Sequence, residues 1–326
     1  MSWTRLAWAA VAVLGVPLAL CAYVYAVESG LQSLAPRRRG QWRPWLWLAP
    51  GVALLSVFLV FPVLHTLVLS VMSADSTSFV GLANYAHIFT TRSMLVVLRN
   101  NLLWLVLFPA ATVSLGLTIA ILTDRVRYQW LVKASVFVPM AISLVAAGVI
   151  WKFMYQYQPP GAPQTGTVNA LLSALIPGFR PRAWLFDTSL NNVALVLVLV
   201  WMWVGFAMVI LYAALKGIDE ALIEAARIEG ASEAQILLRV VLPLMMPTVI
   251  VVGTTLVITV LKVFDVVYVM TNGSLGTDVI ANRMYKEMFN YNDFGRASAF
   301  ATLLLVAIVP VMLINIRRFG RKGDAR

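Results

Sequence analysis

Seven long apolar stretches constrain this chain more than any other feature. They run near residues 6–27, 46–72, 100–123, 132–154, 191–214, 245–270 and 297–316. Each can cross about 30 Å of hydrocarbon, a distance that takes ~20 helical residues. Lipid offers the backbone no hydrogen-bond partner, so every span must be helical. The sequence therefore predicts an all-α polytopic membrane protein with seven transmembrane helices. A composition that is 61% hydrophobic and 12% charged excludes an ordinary soluble domain. In a soluble chain the net charge of +11 would point to nucleic acid. Here the basic residues sit at the ends of the spans, so membrane lipid is the implied surrounding and no nucleic-acid partner is expected. A lone cysteine, Cys21, excludes an internal disulfide and any thiolate metal site, and His65 and His87 are too isolated to hold a metal. The first stretch resembles a leader, but only Arg5 precedes it and Leu20, not a small residue, precedes Cys21. It reads as a retained helix.

Between the fifth and sixth stretches lies an island of charge. Glu220 to Glu229 is rich in Ala, Glu, Leu and Ile, which favour helix, and Gly230 stands where a helix takes a left-handed terminal residue. Ser232 is followed three residues later by Gln235, a capping-box spacing that predicts a second helix running toward Pro243. The product is a helix-turn-helix outside the bilayer. Its small residues Ala225, Ala226, Gly230 and Ala231 let another protein approach closely.

Glu224-Ala225-Ala226, Gly230 and Leu242-Pro243 together resemble the cytoplasmic coupling motif of ABC importer permeases. Glu229 replaces the family's usual Asp before the Gly, and Asp219 stands where a Pro often follows Ile218. Phe79-Val80-Gly81-Leu82-Ala83-Asn84-Tyr85 resembles a segment of sugar-importer permeases. Phe137 to Ser143, Ile150 to Phe153, Lys262 to Asp265, Met270 to Gly273 and Asn282 to Tyr285 resemble segments of the alpha-glucoside branch of the maltose-type permeases. The resemblance implies a type I permease core of six helices at 45–320, with its coupling helix at 219–232. An additional transmembrane helix and basic linker occupy 1–44, and a basic tail occupies 321–326. It further implies that Glu224, Ala225, Ala226, Glu229, Gly230 and Ala231 engage an ATPase. Two ATPase subunits would bind ATP and magnesium, with no cofactor in this chain. A second permease subunit and an extracytoplasmic sugar-binding protein would complete an importer in a bacterial or archaeal inner membrane, moving maltose-, trehalose- or sucrose-like alpha-glucosides.

Orientation follows from lysine and arginine. With the coupling loop in the cytoplasm, fifteen of these residues fall in cytoplasmic segments and eight outside, as the positive-inside rule requires. The N-terminus is then external and the C-terminus cytoplasmic. External residues 155–190 contain Pro159-Pro160-Gly161-Ala162-Pro163, which cannot continue a helix, and offer surface to a binding protein.

The sixth span carries Lys262 and Asp265, three apart and able to pair on one helix face. Ionisable residues at membrane depth face a bundle interior or a water-filled path, so they are solute-pathway candidates. Thr255, Thr259 and Lys262 form a polar stripe at helical spacing. On the fifth span, Trp201 to Phe206 supplies aromatic faces of the kind that stack on pyranose rings. The resemblance places Met202, Trp203, Phe206, Thr259 and Val263 at or near the family's sugar positions. No phosphate-binding loop is present, so the chain is not expected to be an enzyme and a partner must hydrolyse ATP. Alternatives are a permease for another solute such as glycerol 3-phosphate, or an ion-coupled secondary transporter relying on Asp265. A membrane glycosyl-transferring enzyme would need paired carboxylates, and Asp187 and Asp278 are isolated in sequence.

Overall fold

The structure is a computed structural model that describes residues 3–33, 35–159 and 161–323. Residues 324–326 of the expected basic tail lie outside the described residues. The chain divides into two compact units, 1–66 and 67–326.

Every regular element among the described residues is helical. The first unit holds α1 (Trp3–Gln32) and most of α2 (Pro36–Leu69). Glu28 ties the two together. Its carboxylate accepts hydrogen bonds from Arg43, Trp47 and Arg39, with the Arg43 ion pair at 2.9 Å, and the Tyr23 hydroxyl donates to the Leu46 carbonyl. The basic segment ahead of residue 46 is therefore the start of α2 itself. Pro36 occupies its first turn, where a missing N–H costs nothing.

The second unit continues with α3 (Ala83–Thr90), α4 (Arg92–Asp124), α5 (Gln129–Ala141) and α6 (Leu144–Met154). Then come α7 (Thr167–Leu175), α8 (Asn191–Lys216), α9 (Glu220–Ile228) and α10 (Glu233–Leu261). Short α11 (Asp265–Met270), α12 (Ile280–Phe289) and α13 (Phe294–Gly323) complete it. Among the described residues α2, α4, α8, α10 and α13 are long and apolar enough to cross a membrane, and α5 with α6 forms a bent sixth candidate.

Three spans depart from straight helices. The stretch predicted at 132–154 bends by 102° between α5 and α6. Pro139 interrupts the donor series, and Ser143 starts a new helix by accepting the Ala146 N–H at 3.2 Å. The stretch predicted at 245–270 ends at Leu261, and Lys262 to Phe264 leave helical geometry before α11 begins. Two prolines lie within continuous helices without ending them. Pro62 and Pro243 are each preceded by a π turn, Ser56–Val60 and Leu237–Val241, which accommodates the missing donor within a continuous helix.

Helix α8 is the axis of the unit: more than half of its apolar window is buried, against a third or less for the other candidate spans. Leu195, Leu199, Met208 and Leu211 on it pack with Trp104 and Phe108 of α4 and Met245, Val252 and Leu256 of α10. A smaller cluster around Ile88, Met94, Val97 and Phe300 joins α3, the start of α4 and α13.

A polar clasp holds the segment between α11 and α12 to these helices. Asn100 donates to the carbonyls of Gly276 at 2.6 Å and Asp278 at 2.8 Å, and Asn101 accepts the Ile280 N–H at 2.7 Å. Asn191 donates to the Leu275 carbonyl at 2.9 Å, while Asn192 accepts the Trp104 indole N–H at 2.9 Å. A buried carbonyl without a donor costs more than its hydrogen bond contributes. Asn100→Leu should therefore lower stability by about 2 kcal/mol, read as a lower thermal unfolding midpoint in detergent; an unchanged midpoint would remove the clasp from the stabilising interactions. Asn84 acts similarly, donating to the carbonyls of Ser70 and Met72 to hold the turn after α2.

Candidate functional site

The charged island forms the two predicted helices. Asp219 caps α9 by accepting the Ala221 N–H at 3.0 Å. At the other end the Gly230 N–H donates to the Arg227 carbonyl and the Ala231 N–H to the Ala226 carbonyl, both at 3.0 Å. This pair of bonds is a Schellman motif, and Gly230 has the left-handed φ of +82° that it requires. Ser232 and Gln235 complete the predicted capping box, bonding each other's backbone N–H groups. Arg227 bridges the turn to Glu233 at 2.9 Å. Glu233 raises the Arg227 pKa from its ordinary value, mainly through that hydrogen bond.

Glu224, Ala225, Glu229 and Gly230 face outward, whereas Ala226 and Ala231 are half-buried against the chain's own core. The face open to a partner is thus narrower than the run of small residues suggested. It also includes two apolar residues that the sequence reading did not select, Leu222 and Ile228, the latter 87% exposed. Their position off the half-buried Ile223–Ala226 stripe was the available signal.

Beneath α9 is a cavity of about 570 Å³ lined by Asp124, Arg125, Ile223, Arg227, Glu233 and Leu237 among others. Asp124, the last residue of α4, pairs at 2.6 Å with Lys216, the last residue of α8. Tyr212 donates to Gln129 at 2.6 Å, and the Lys133 ammonium lies 3.6 Å from the Tyr212 ring centre. The ends of α4, α5 and α8 are therefore bonded together immediately before α9, so a displacement of α9 has a stiff base to act on.

The pathway candidates gather less completely. Met202 and Val263 are buried, while Trp203 and Phe206 are half-buried and meet edge to face at 5.5 Å. Thr255 and Thr259 donate to the Val251 and Thr255 carbonyls, each at 2.9 Å, so their hydroxyl protons are used by their own helix and their lone pairs remain as acceptors. Lys262 and Asp265 do not lie on one helix, because the break at 262–264 separates them. Neither belongs to an ion pair among the described residues. The same-face pairing expected from their spacing does not form. Asp265 is instead the first residue of α11, where a carboxylate favours the helix N-terminus. Beside it, Phe264 stacks on Tyr268 with centroids 5.0 Å apart, aromatic faces that were not singled out from the sequence.

The family described as "Binding-protein-dependent transport system inner membrane component" matches residues 112–319. The chain is 54% identical over 281 residues to the osmoprotective compounds uptake permease protein GgtC of Synechocystis sp., covering 86% of this chain and 100% of that one. It is 45% identical over 282 residues to the alpha-glucoside transport system permease protein AglF of Rhizobium meliloti, covering 86% and 83%. Among solved structures it is similar to a chain of a bacterial ABC transporter involved in import of the acidic polysaccharide alginate. The TM-score is 0.69 at 23% identity, covering 86% of this chain and 96% of that one.

Proposed function

Because the chain belongs to the family of binding-protein-dependent transport system inner membrane components, we propose that it forms half of the translocation pathway of an ATP-driven importer of alpha-glucosides. The second half is a different permease subunit. Two ATPase subunits bind ATP and magnesium and grip the coupling helices through Glu224, Ala225, Glu229 and Gly230, and a binding protein delivers solute from outside. Closure of the ATPases on ATP moves α9, and the bonded ends of α4, α5 and α8 pass that movement to the spans, switching the pathway between inward-open and outward-open. Met202, Trp203, Phe206, Thr255, Thr259, Lys262, Val263 and Asp265 lie along this chain's side of the path. The N-terminus is external and the C-terminus cytoplasmic.

The observation that carries this reading is the exposed, doubly capped helix pair at 219–236, a shape suited to a protein socket and without use in an ion-coupled carrier. Support for the solute comes from the relative named for alpha-glucoside transport. The test is ATPase activity of the complete complex in lipid, with maltose, trehalose, sucrose and glycerol 3-phosphate offered in turn with the binding protein. Stimulation by an alpha-linked disaccharide is expected. Stimulation by glycerol phosphate alone would overturn the solute assignment, and absence of any co-assembling ATPase would overturn the whole reading.

A further inference from the structure

The unit at 1–66 is strongly one-signed, with five arginines and no lysine against a single acidic residue, Glu28. Four of those arginines stand at the start of α2, and Glu28 is shared by two of them, Arg39 at 3.5 Å and Arg43 at 2.9 Å. The Trp47 indole also donates to Glu28, at 3.1 Å. Positions 39, 43 and 47 recur every four residues, so they mark the face of α2 that is turned to α1. Arg38, Trp42 and Trp45 recur at helical spacing on another face. All three are exposed, Trp42 at 55% and Trp45 at 69%, and so is Arg37. Neither Arg37 nor Arg38 belongs to an ion pair among the described residues. The first turn of α2 contains no acidic residue, although the positive end of the helix dipole already disfavours cations there. Trp45 stands where the apolar stretch begins, with Arg38 seven residues, about 10 Å, before it along the axis. Indoles settle at the border of hydrocarbon and headgroups, and a long arginine side chain so close to that border reaches the phosphate level.

We propose that Arg37, Arg38, Trp42 and Trp45 form a binding site for the headgroup of an anionic phospholipid. The two guanidiniums donate to the phosphate oxygens, and the indoles pack on the glycerol and the upper acyl chain. A zwitterionic lipid brings its own ammonium toward the arginines, so an acidic headgroup is preferred. Soluble phosphate gains nothing from the indoles, which makes the lipid the occupant. The bound anion offsets the charge that Glu28 leaves uncompensated at the start of α2. This inference is independent of which solute crosses the membrane.

The test is native mass spectrometry of the full chain in detergent, titrated with dioleoyl phosphatidylglycerol or dioleoyl phosphatidylcholine. The native chain should retain phosphatidylglycerol the more tightly. The double variant Arg37→Gln/Arg38→Gln should bind it roughly thirtyfold more weakly, near the level of phosphatidylcholine. Arg38→Lys should fall between the two, because it keeps the charge and loses the fork. Arg127→Gln, the same charge change at an exposed position between α4 and α5, should bind as the native chain does. Should the double variant fail to insert, Arg38→Gln alone reads the same affinity with a smaller loss. Equal retention of both lipids by the native chain would overturn the site, as would native binding by the arginine variants. An equal loss in Arg127→Gln would show attraction by net charge instead of a site and overturn it too. Displacement of the lipid by inorganic phosphate at equal concentration would remove the lipid as the occupant.

Discussion

Replacing Gly230 with proline should abolish solute uptake while leaving the chain inserted in the membrane. Gly230 sits at φ +82°, and the proline ring holds φ near −65°, so the substitution cannot keep the turn. It also removes the N–H that donates to Arg227 and, by displacing Ala231, the bond from that residue to the Ala226 carbonyl. The cost lies in the backbone conformation and these lost bonds rather than in a steric clash, because a Cβ at position 230 would meet no atom within 4 Å. The two helices would lose their fixed angle, and the outward set of Leu222, Glu224, Ala225 and Ile228 would lose its shape. The site is exposed and remote from the buried spans, so insertion should be spared. A penalty of about 3 kcal/mol or more on the docked geometry corresponds to a loss of uptake of roughly a hundredfold. Gly230→Ala, strained by only about 1 kcal/mol, should lose only about fivefold. Uptake in proteoliposomes and sugar-stimulated ATPase activity read both variants. Normal uptake by Gly230→Pro would show that the turn does not couple the chain to its ATPase.

The second large effect is expected at Gly205 of α8, where Gly205→Val should destabilise the protein by about 3 kcal/mol. A Cβ there would collide with the Val136 carbonyl oxygen and lie 2.7 Å from the Phe137 Cα. Both obstacles are backbone, so no side-chain rotation relieves them. Helices α5 and α8 must separate, and α8 is the axis around which the larger unit packs. The strain also reaches the bend at Pro139, which begins at residue 138. Thermal unfolding in detergent and the yield of assembled complex should both fall, with Gly205→Ala intermediate. A native midpoint for Gly205→Val would mean that the close approach of α5 to α8 is not needed.

These two glycines differ in how visible they are in the sequence. Gly230 is legible because its signal is local: a helix-favouring run before it, and a Ser232–Gln235 capping pair after it. Gly205 sits inside a run of Trp, Val and Phe that looks like any membrane helix, and its partners Val136 and Phe137 are about seventy positions earlier. The same distance problem hid the asparagine clasp. Asn100 and Asn101 meet residues 276 to 280 across separations of 176 to 179 positions, and nothing near Asn100 announces them. The break at 262–264 escaped notice because no glycine or proline stands there. A helix-compatible Lys-Val-Phe leaves helical geometry only because packing on both sides of it is stronger than its local preference.

By itself the sequence determined that the chain is helical and membrane-spanning, where the charged island lies, and how that island is capped. Hydrocarbon thickness and the first and last turns of a helix act on neighbouring residues, so their consequences can be read along the chain. Only the tertiary structure decided where the spans bend and break, that Lys262 and Asp265 do not share a helix, and which face of α9 remains open. Those outcomes depend on contacts between residues far apart in the chain, whose energies outweigh local propensity and leave no periodic trace.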